Sequence, residues 1–548
     1  MKISSKPRFI FAILSLVVLC SCGNDKQETN IIIRPKDPKE KMASNLKEYL
    51  EKDYPSKVSD VNVTSDKVIV KGTCGGSGTY VLAEITPWQD VTELEEYPYT
   101  ENISGGNFTV TVDRIAPSRE GIKYDKVFSK WAVVKVDGDK QTLDSHARYA
   151  DEVAPKASPA EIPLRNKKGF GAGDIDLYFS DCKEMNVGSI TMNVVLNQYI
   201  TGEGSGYSYG GKNYSLGSVK GYVDRITKKA AESDLVVSAI ILCQVNSIFK
   251  DPENTGGNYT MPNLTTASAF NLYAAALEHL ASTHCSAGSR ISHWIMHNEV
   301  DFADEWTNMG SQPMLRYLDR YIKSMRICYN IVRQYDQNAS VLGSFTHCWA
   351  KADGAYAPKT LLERTVDYSN AEGDFLWAVA YHPYPQDLTK PSFWINDSQS
   401  TYSMNSDYVT FKNLEVIDAW IKQKANLYKG TTKRKLFLSE QGTNSPSYSK
   451  TNLELQAAGG AWAWKKVSKL DGIDAIQWHN WADNKAEGGL RIGLRTFDEG
   501  DVPNLTPKPV WYVWKAAGTA EEDSVFEPYK TTLGISDWNS IMGTIPGN

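Results

Sequence analysis

The stretch "HWIMHNEVD", His293 to Asp301, sets three apolar residues, Trp294, Ile295 and Met296, directly before His297, Asn298, Glu299 and Asp301. A short apolar run is how a strand buried on both faces of a parallel sheet reads. Polar residues at its end emerge at an edge of the sheet, which in a parallel barrel is where active sites are built. A second stretch has the same form: in "KLFLSEQGT", Lys435 to Thr443, Leu436, Phe437 and Leu438 run into Glu440. Two strands each deliver one glutamate.

Around these two stretches, strand and helix patterns alternate. "KGFGA" at Lys168, "SITMNVVL" at Ser189 and "LVVSAIILCQV" at Leu235 precede the His293 stretch, which is the fourth strand. "SVLGSFTHCW" at Ser340 and "FLWAVAYHPYP" at Phe375 follow; the Lys435 stretch is the seventh and "DAIQWHNWAD" at Asp474 the eighth. Helical patterns lie between them. From Met314 to Tyr335, for example, Leu315, Leu318, Ile322, Met325 and Val332 fall on one face at three- and four-residue steps. "KPVWYVWKAAG" closes the ring. Eight such units over residues 167–548 predict an α/β fold, a (β/α)8 TIM barrel. "AGGAW", Ala458 to Trp462, sits inside a helix; its glycines allow close approach to the barrel and make no phosphate cradle.

In a barrel of this kind Glu299 and Glu440, 141 positions apart, converge across the mouth. Paired carboxylates flanking a bond are what glycoside hydrolysis requires: one protonated at the leaving oxygen, the other ionised beneath the anomeric carbon. Burial and like charge hold one carboxyl protonated beside its ionised partner.

An Asn-Glu pair ending the fourth strand and a lone Glu ending the seventh resemble clan A of the retaining glycoside hydrolases, a likeness of motif and position over about two-thirds of the chain. The resemblance implies that Glu299 is the acid/base and Glu440 the nucleophile. It further implies that Asn298 binds the hydroxyl adjacent to the anomeric carbon, and that carboxyls about 5 to 5.5 Å apart give net retention. His382 and Tyr384 in "AYHPYP" fall where the clan orients its nucleophile, and Trp478 where it floors the sugar site. The His before Asn298 and the acid-rich "VDFADEW" depart from the best-known members. Asp301, Asp304 and Glu305 therefore compete for a role, against the plainer reading of loop-capping or solvated acids.

His297 is expected to bind substrate, and other polar strand ends to bind substrate or to be buried and satisfied by backbone: Asn193 and Asn197, Gln244 and Asn246, His347 and Trp349, and His479, Asn480 and Trp481. No metal and no cofactor are expected. His293 and His297 are four apart on a strand and do not form HExxH. A centre gathered from His297, Asp301, His382 and His479 lacks the paired spacing of such sites. Long insertions after strands two, three, six and eight are expected to decorate the catalytic face, with Arg491 and Arg495 hinting at an anionic or heavily hydroxylated ligand.

Upstream the rhythm is period two. "KVIVKG", "TYVLAEITPW", "NFTVTVDRI" and "KWAVVKVDG" predict a small antiparallel β-sandwich over 57–150, with Trp88 and Trp131 either core or sugar platforms. A proline-bearing linker over 151–166 follows it. At the start, Lys2, Lys6 and Arg8 precede an apolar run, Phe9 to Leu19, too short to span a bilayer. "LCSC" resembles the lipobox of bacterial lipoproteins, which implies a signal peptide over 1–21, lipid on Cys22, a tether with a possible short helix over 22–56, and an outer-membrane-anchored place in the cell envelope. Losing those three basic residues takes the net charge from −6 to −9, a poor surface for nucleic acid. The six remaining cysteines match no metal spacing and read mostly as buried thiols. Two functions follow: a retaining glycosidase acting on an oligo- or polysaccharide, or a glycan-binding surface lipoprotein without catalysis.

Overall fold

Eight parallel strands close on themselves into a barrel. They are β1 (Lys168–Gly171), β2 (Ser189–Val195), β3 (Val236–Leu242), β4 (His293–Met296), β5 (Ser340–Phe345), β6 (Trp377–Tyr381), β7 (Leu436–Gln441) and β8 (Ala475–Trp478). Pairing of Phe170 in β1 with Trp478 in β8 shuts the ring. The computed structural model describes residues 37–499 and 502–546; the segment 1–21, Cys22 and the tether as far as residue 36 lie outside them.

Period two sorts each barrel strand into inward and outward residues. Ile240, Leu242, Ile295, Leu342, Ala380 and Phe437 fill the lumen as one apolar cluster. Beside them Gln477 donates its amide to Ser189 Oγ at 3.2 Å. The alternate residues pack outward on a ring of helices: α2 (Asp176–Glu184), α3 (Val219–Glu232), α4 (Ala267–Thr283), α5 (Met314–Tyr335), α6 (Pro358–Glu372), α7 (Glu415–Lys422), α8 (Lys450–Val467) and α9 (Pro509–Ala516). The glycines of "AGGAW" lie in α8, where a Cβ on Gly459 would meet Thr443 Cγ2 at 2.6 Å. Only a residue without a side chain lets α8 lie this close.

The N-terminal strands form two four-stranded sheets. Lys57–Val63, Lys67–Thr73 and Asn107–Asp113 make an antiparallel set, to which Glu152–Val153 of the linker adds in parallel. The second sheet orders Thr100–Ile103, Thr79–Ile85, Lys130–Asp137 and Lys140–Leu143. Helix α1, Pro38–Glu51, starts where Asp37 accepts from Lys39 N–H at 2.9 Å. Its Leu46 and Tyr49 cover the outer face of the second sheet through Val81, Ala83 and Val134.

This unit is pressed against the flank of the barrel. The face of α5 turned from the barrel is polar in sequence yet buried: Arg320, Lys323, Arg326, Asn330 and Gln334 are each 5% exposed or less. Every one meets a partner. Lys323 Nζ donates to Asp90 Oδ1 at 3.0 Å, Asn330 to the Val127 carbonyl at 2.8 Å, and Lys130 from the sheet to Glu372 of α6 at 2.7 Å. Trp88 packs edge-on against Tyr124 and beside Phe270 of α4, and Trp131 is 1% exposed. Trp131 is core and Trp88 is half-buried against that core, its ring taken up by Tyr124 and Phe270. The linker is likewise held, Lys156 and Ala157 donating their N–H groups to the Gln334 carbonyl. The six cysteines beyond Cys22 are all buried and unpaired.

Candidate active site

The acid that ends β4 sits on a bent backbone. Glu299 takes φ +36°, a left-handed value that a residue with a side chain adopts only when its surroundings hold it there. Ser344 of β5 accepts the Glu299 N–H at 3.1 Å. Two residues on, buried Asp301 accepts from the Thr346 N–H at 2.9 Å and from the Thr346 hydroxyl, lashing this loop to the end of β5. That is the work of a structural acid.

Across the mouth, β7 presents Glu440. The Tyr384 hydroxyl donates to Glu440 Oε1 at 3.1 Å, while His382 lies between the two acids, its Nδ1 2.8 Å from Glu299 Oε1 and its Nε2 3.1 Å from Ser439 Oγ. One polar atom each from Glu299, His382 and Glu440 falls within a mutual 4.8 Å. Burial raises the Glu299 carboxyl to about 7, against the pull of His479 and of the Trp306 indole. Burial also lowers His382 to about 4, which keeps it a neutral imidazole at neutral pH despite Glu440. At His479 burial works downward, but Glu440, Glu487 and Glu299 outweigh it and hold the ring above its usual value. The site thus combines a carboxyl that keeps its proton near pH 7 with a second carboxyl beside an imidazole biased toward imidazolium.

A cavity of about 450 Å³ opens onto this pair, with Phe302, Trp306, Leu388, Leu490, Ile492 and Tyr384 among its walls. It also holds His347, Cys348 and Asp353 from the loop after β5, whose polar atoms converge within 4.8 Å. Both three-residue groups have donor atoms that suit a cation. In each, hydrogen-bond or ion partners are already in place, with Lys351 Nζ 3.4 Å from Asp353 Oδ1 in the second.

Several expected residues do not reach the cavity. His297 is 1% exposed and turned to the helix layer, Nδ1 2.8 Å from the Ile241 carbonyl and Nε2 3.3 Å from Ser324 of α5. Trp478 is on the outward register of β8: it packs against Trp514 of α9 and donates to the Ile492 carbonyl at 2.8 Å. It floors nothing. Trp349 is fully buried against Tyr381 and Trp420 and donates to the Met404 carbonyl. Asn193 is exposed near the end of β2 but does not line the cavity, and Asn197 and Gln244 satisfy each other at 2.8 Å. Asn298 carries a buried side-chain oxygen with no partner. Arg495 is spent on Asp181 at 2.6 and 2.7 Å and Arg491 on Glu499 at 2.9 and 2.7 Å, so neither guanidinium is free for an anion. The insertion after β2 is a hairpin, Ile200–Tyr209 with Lys212–Leu216. It leans on α4 and on Lys123 of the N-terminal unit and lines no part of the cavity.

Sequence reasoning missed Phe302, Trp306, Asp353, Gln386, Leu388 and Glu487 as cavity residues. The signal was partial: all lie on loops that follow β4, β5, β6 or β8, and the lengths of those after β6 and β8 had marked them as catalytic-face insertions.

Comparison with curated protein sequences finds no match. Among solved structures the chain is similar to a family 39 glycoside hydrolase from the gut symbiont Bacteroides cellulosilyticus WH2, at 14% identity and TM-score 0.43, covering 85% of this chain and 83% of that one. It is also similar to xylanase 10B from Thermotoga maritima, at 16% identity and TM-score 0.39, covering 67% and 97%. A third likeness is the GH53 catalytic domain of Ignisphaera aggregans, at 14% identity and TM-score 0.37, covering 66% and 94%. All three are distant. Residues 161–541, the whole barrel, match the model of DUF5722, a family of unknown function, and the chain belongs to that family.

Proposed function

We propose that the barrel is a retaining glycoside hydrolase that cleaves an oligo- or polysaccharide by double displacement. The observation that carries this reading is the approach of Glu299 and Glu440 to within 4.8 Å, with Glu299 raised to about 7 by burial. The Glu440 carboxylate attacks the anomeric carbon while the Glu299 proton passes to the leaving oxygen, giving a glycosyl ester and a free alcohol. Glu299, now ionised, takes a proton from water, whose oxygen attacks the same carbon and releases Glu440. The Tyr384 hydroxyl, 3.1 Å from Glu440 Oε1, orients the nucleophile and leaves its second oxygen to react. The clan A resemblance assigns Asn298, directly before Glu299, to the neighbouring sugar hydroxyl, and its side-chain oxygen has no partner within the protein.

Incubation with activated 2-fluoro glycosides, followed by peptide mass mapping, tests the assignment. A sugar on Glu440 is expected. Glu440→Gln should lower turnover by at least ~10⁴-fold while the protein stays folded. Wild-type rates in that variant would sink the proposal. The export segment and Cys22 support a second, separate proposal, that the mature protein is held in the cell envelope by lipid. Radiolabelled palmitate should enter the wild-type chain and be lost in Cys22→Ala.

A further inference from the structure

We infer that the cavity wall after β5 is a subsite for an uncharged sugar residue, with adjacent hydroxyls taken by the Asp353 carboxylate and the His347 imidazole. The same cavity rejects sugars that carry a carboxylate or sulfate. This rests on the carbohydrate reading above but not on its catalytic half.

The wall is built to hold one carboxylate in place. The Tyr408 hydroxyl donates to Asp353 Oδ2 at 2.6 Å and accepts from Lys351 Nζ at 3.0 Å. Lys351 reaches Oδ1 from 3.4 Å. His347 leans on the Tyr408 ring at 5.5 Å, and its nearest ring nitrogen lies within 4.8 Å of both the Asp353 carboxylate and Cys348 Sγ. A fixed carboxylate accepts from two neighbouring hydroxyls at once. Burial lowers His347 to about 4, leaving a neutral ring that both donates and accepts, as a hydroxyl requires.

Charge sets the class of ligand. Glu299, Asp353, Glu440 and Glu487 all line this one cavity. The cations around it are engaged: the His479 ring on Glu487, Lys351 on Asp353, Arg491 on Glu499 and Arg495 on Asp181. With Glu299 protonated, an anionic sugar would still bring a further negative charge beside Asp353, Glu440 and Glu487 in a cavity of about 450 Å³, where like charges a few ångströms apart repel strongly. Phe302, Trp306, Leu388 and Leu490 supply apolar surface for the C–H face of a pyranose. Tyr259 braces Trp306 from behind, ring centroids 6.0 Å apart and planes 28° from parallel.

The test is saturation-transfer NMR on the whole chain with sugars paired so that they differ only at C6: glucose, galactose and mannose against their uronic acids. At least one neutral sugar is expected to bind, with its uronic acid at least tenfold weaker. Asp353→Asn should weaken the neutral sugar at least tenfold and narrow its lead over the uronic acid. His347→Gln serves as the second variant, and an unchanged near-ultraviolet circular dichroism spectrum verifies the fold of each. Binding of a uronic acid as tight as its neutral partner overturns the inference, as does unchanged binding in both variants or no binding of any sugar. Binding lost to a chelator and restored by zinc also overturns it, making the wall a cation site. A sugar trapped on Glu440 alongside any of these results leaves the hydrolase standing and removes the subsite alone.

Discussion

The Glu299 carboxyl is the residue at which burial, chemistry and stability meet. Its value of about 7 in the folded chain compares with 4.5 for an unburied glutamate. A raised acid favours the folded state wherever it is protonated, so its contribution is complete below pH 4.5 and is lost as pH rises through 7. That loss amounts to about 3 kcal/mol. Glu299→Gln removes it, and the variant should unfold at a higher temperature than wild type above pH 7 but not below pH 4.5, as read by thermal melts across that range. The same proton governs the rate. The alkaline limb of kcat/KM should fall near pH 7 and vanish in Glu299→Gln assayed on an aryl glycoside whose leaving group needs no acid. A limb that persists in the variant assigns the proton elsewhere. Both glutamates were legible because an acid directly after an apolar run has one place to go in a parallel barrel, its mouth. Asp301 was not separable from them in sequence, since its partners, the Thr346 N–H and hydroxyl, come from another strand.

At the scale of the element, the strands were legible one by one, but the direction of their side chains was not. Gln477 faces the lumen and Trp478 the helices, and nothing in "AIQW" says which, because both faces of a parallel barrel strand are buried and alternation leaves no polar mark. His297 was misread for the same reason. Helix α5 shows the converse. Its apolar stripe was plain, while its buried polar face is explained by partners distant in sequence: Asp90 and the Val127 carbonyl of the N-terminal unit, and Asp251 and the Gly373 carbonyl of the barrel. Elements also aim the catalytic groups: the chain after β6 carries Tyr384 to Glu440 at 3.1 Å. A hydrogen bond to a charged group contributes about 1.5–3 kcal/mol. Tyr384→Phe is therefore expected to lower kcat roughly 10- to 100-fold with little change in KM, in steady-state assays. A defect confined to KM would place the hydroxyl on the substrate.

At the scale of the whole molecule, the N-terminal sheets are the small extra domain that the period-two pattern suggests, but no motif marks how closely they are joined to the barrel. Their core and that of the barrel form one apolar cluster, running from Val61 and Trp131 through Phe270 to the barrel helices. The polar seam beside it is buried on both sides, with Lys130 and Glu372 exposed by only 4% and 2%. Breaking such a pair from one side strands a charge in the interior at a cost of about 3–5 kcal/mol, while replacing both members with well-packed neutral groups costs far less. Lys130→Met should accordingly lower the melting temperature sharply, and Lys130→Met with Glu372→Leu should recover much of the loss. The same seam predicts the fate of the isolated barrel. A chain of residues 161–548 would expose the α5 face that holds Arg320, Lys323, Arg326 and Asn330, together with Phe270, would strip Lys323 of Asp90 and Asn330 of the Val127 carbonyl, and is expected to be insoluble or to melt far below the full chain. An isolated barrel with the stability of the whole would mean that the sheets merely rest on it, and that their seam contributes nothing to holding Glu299 and Glu440 in register.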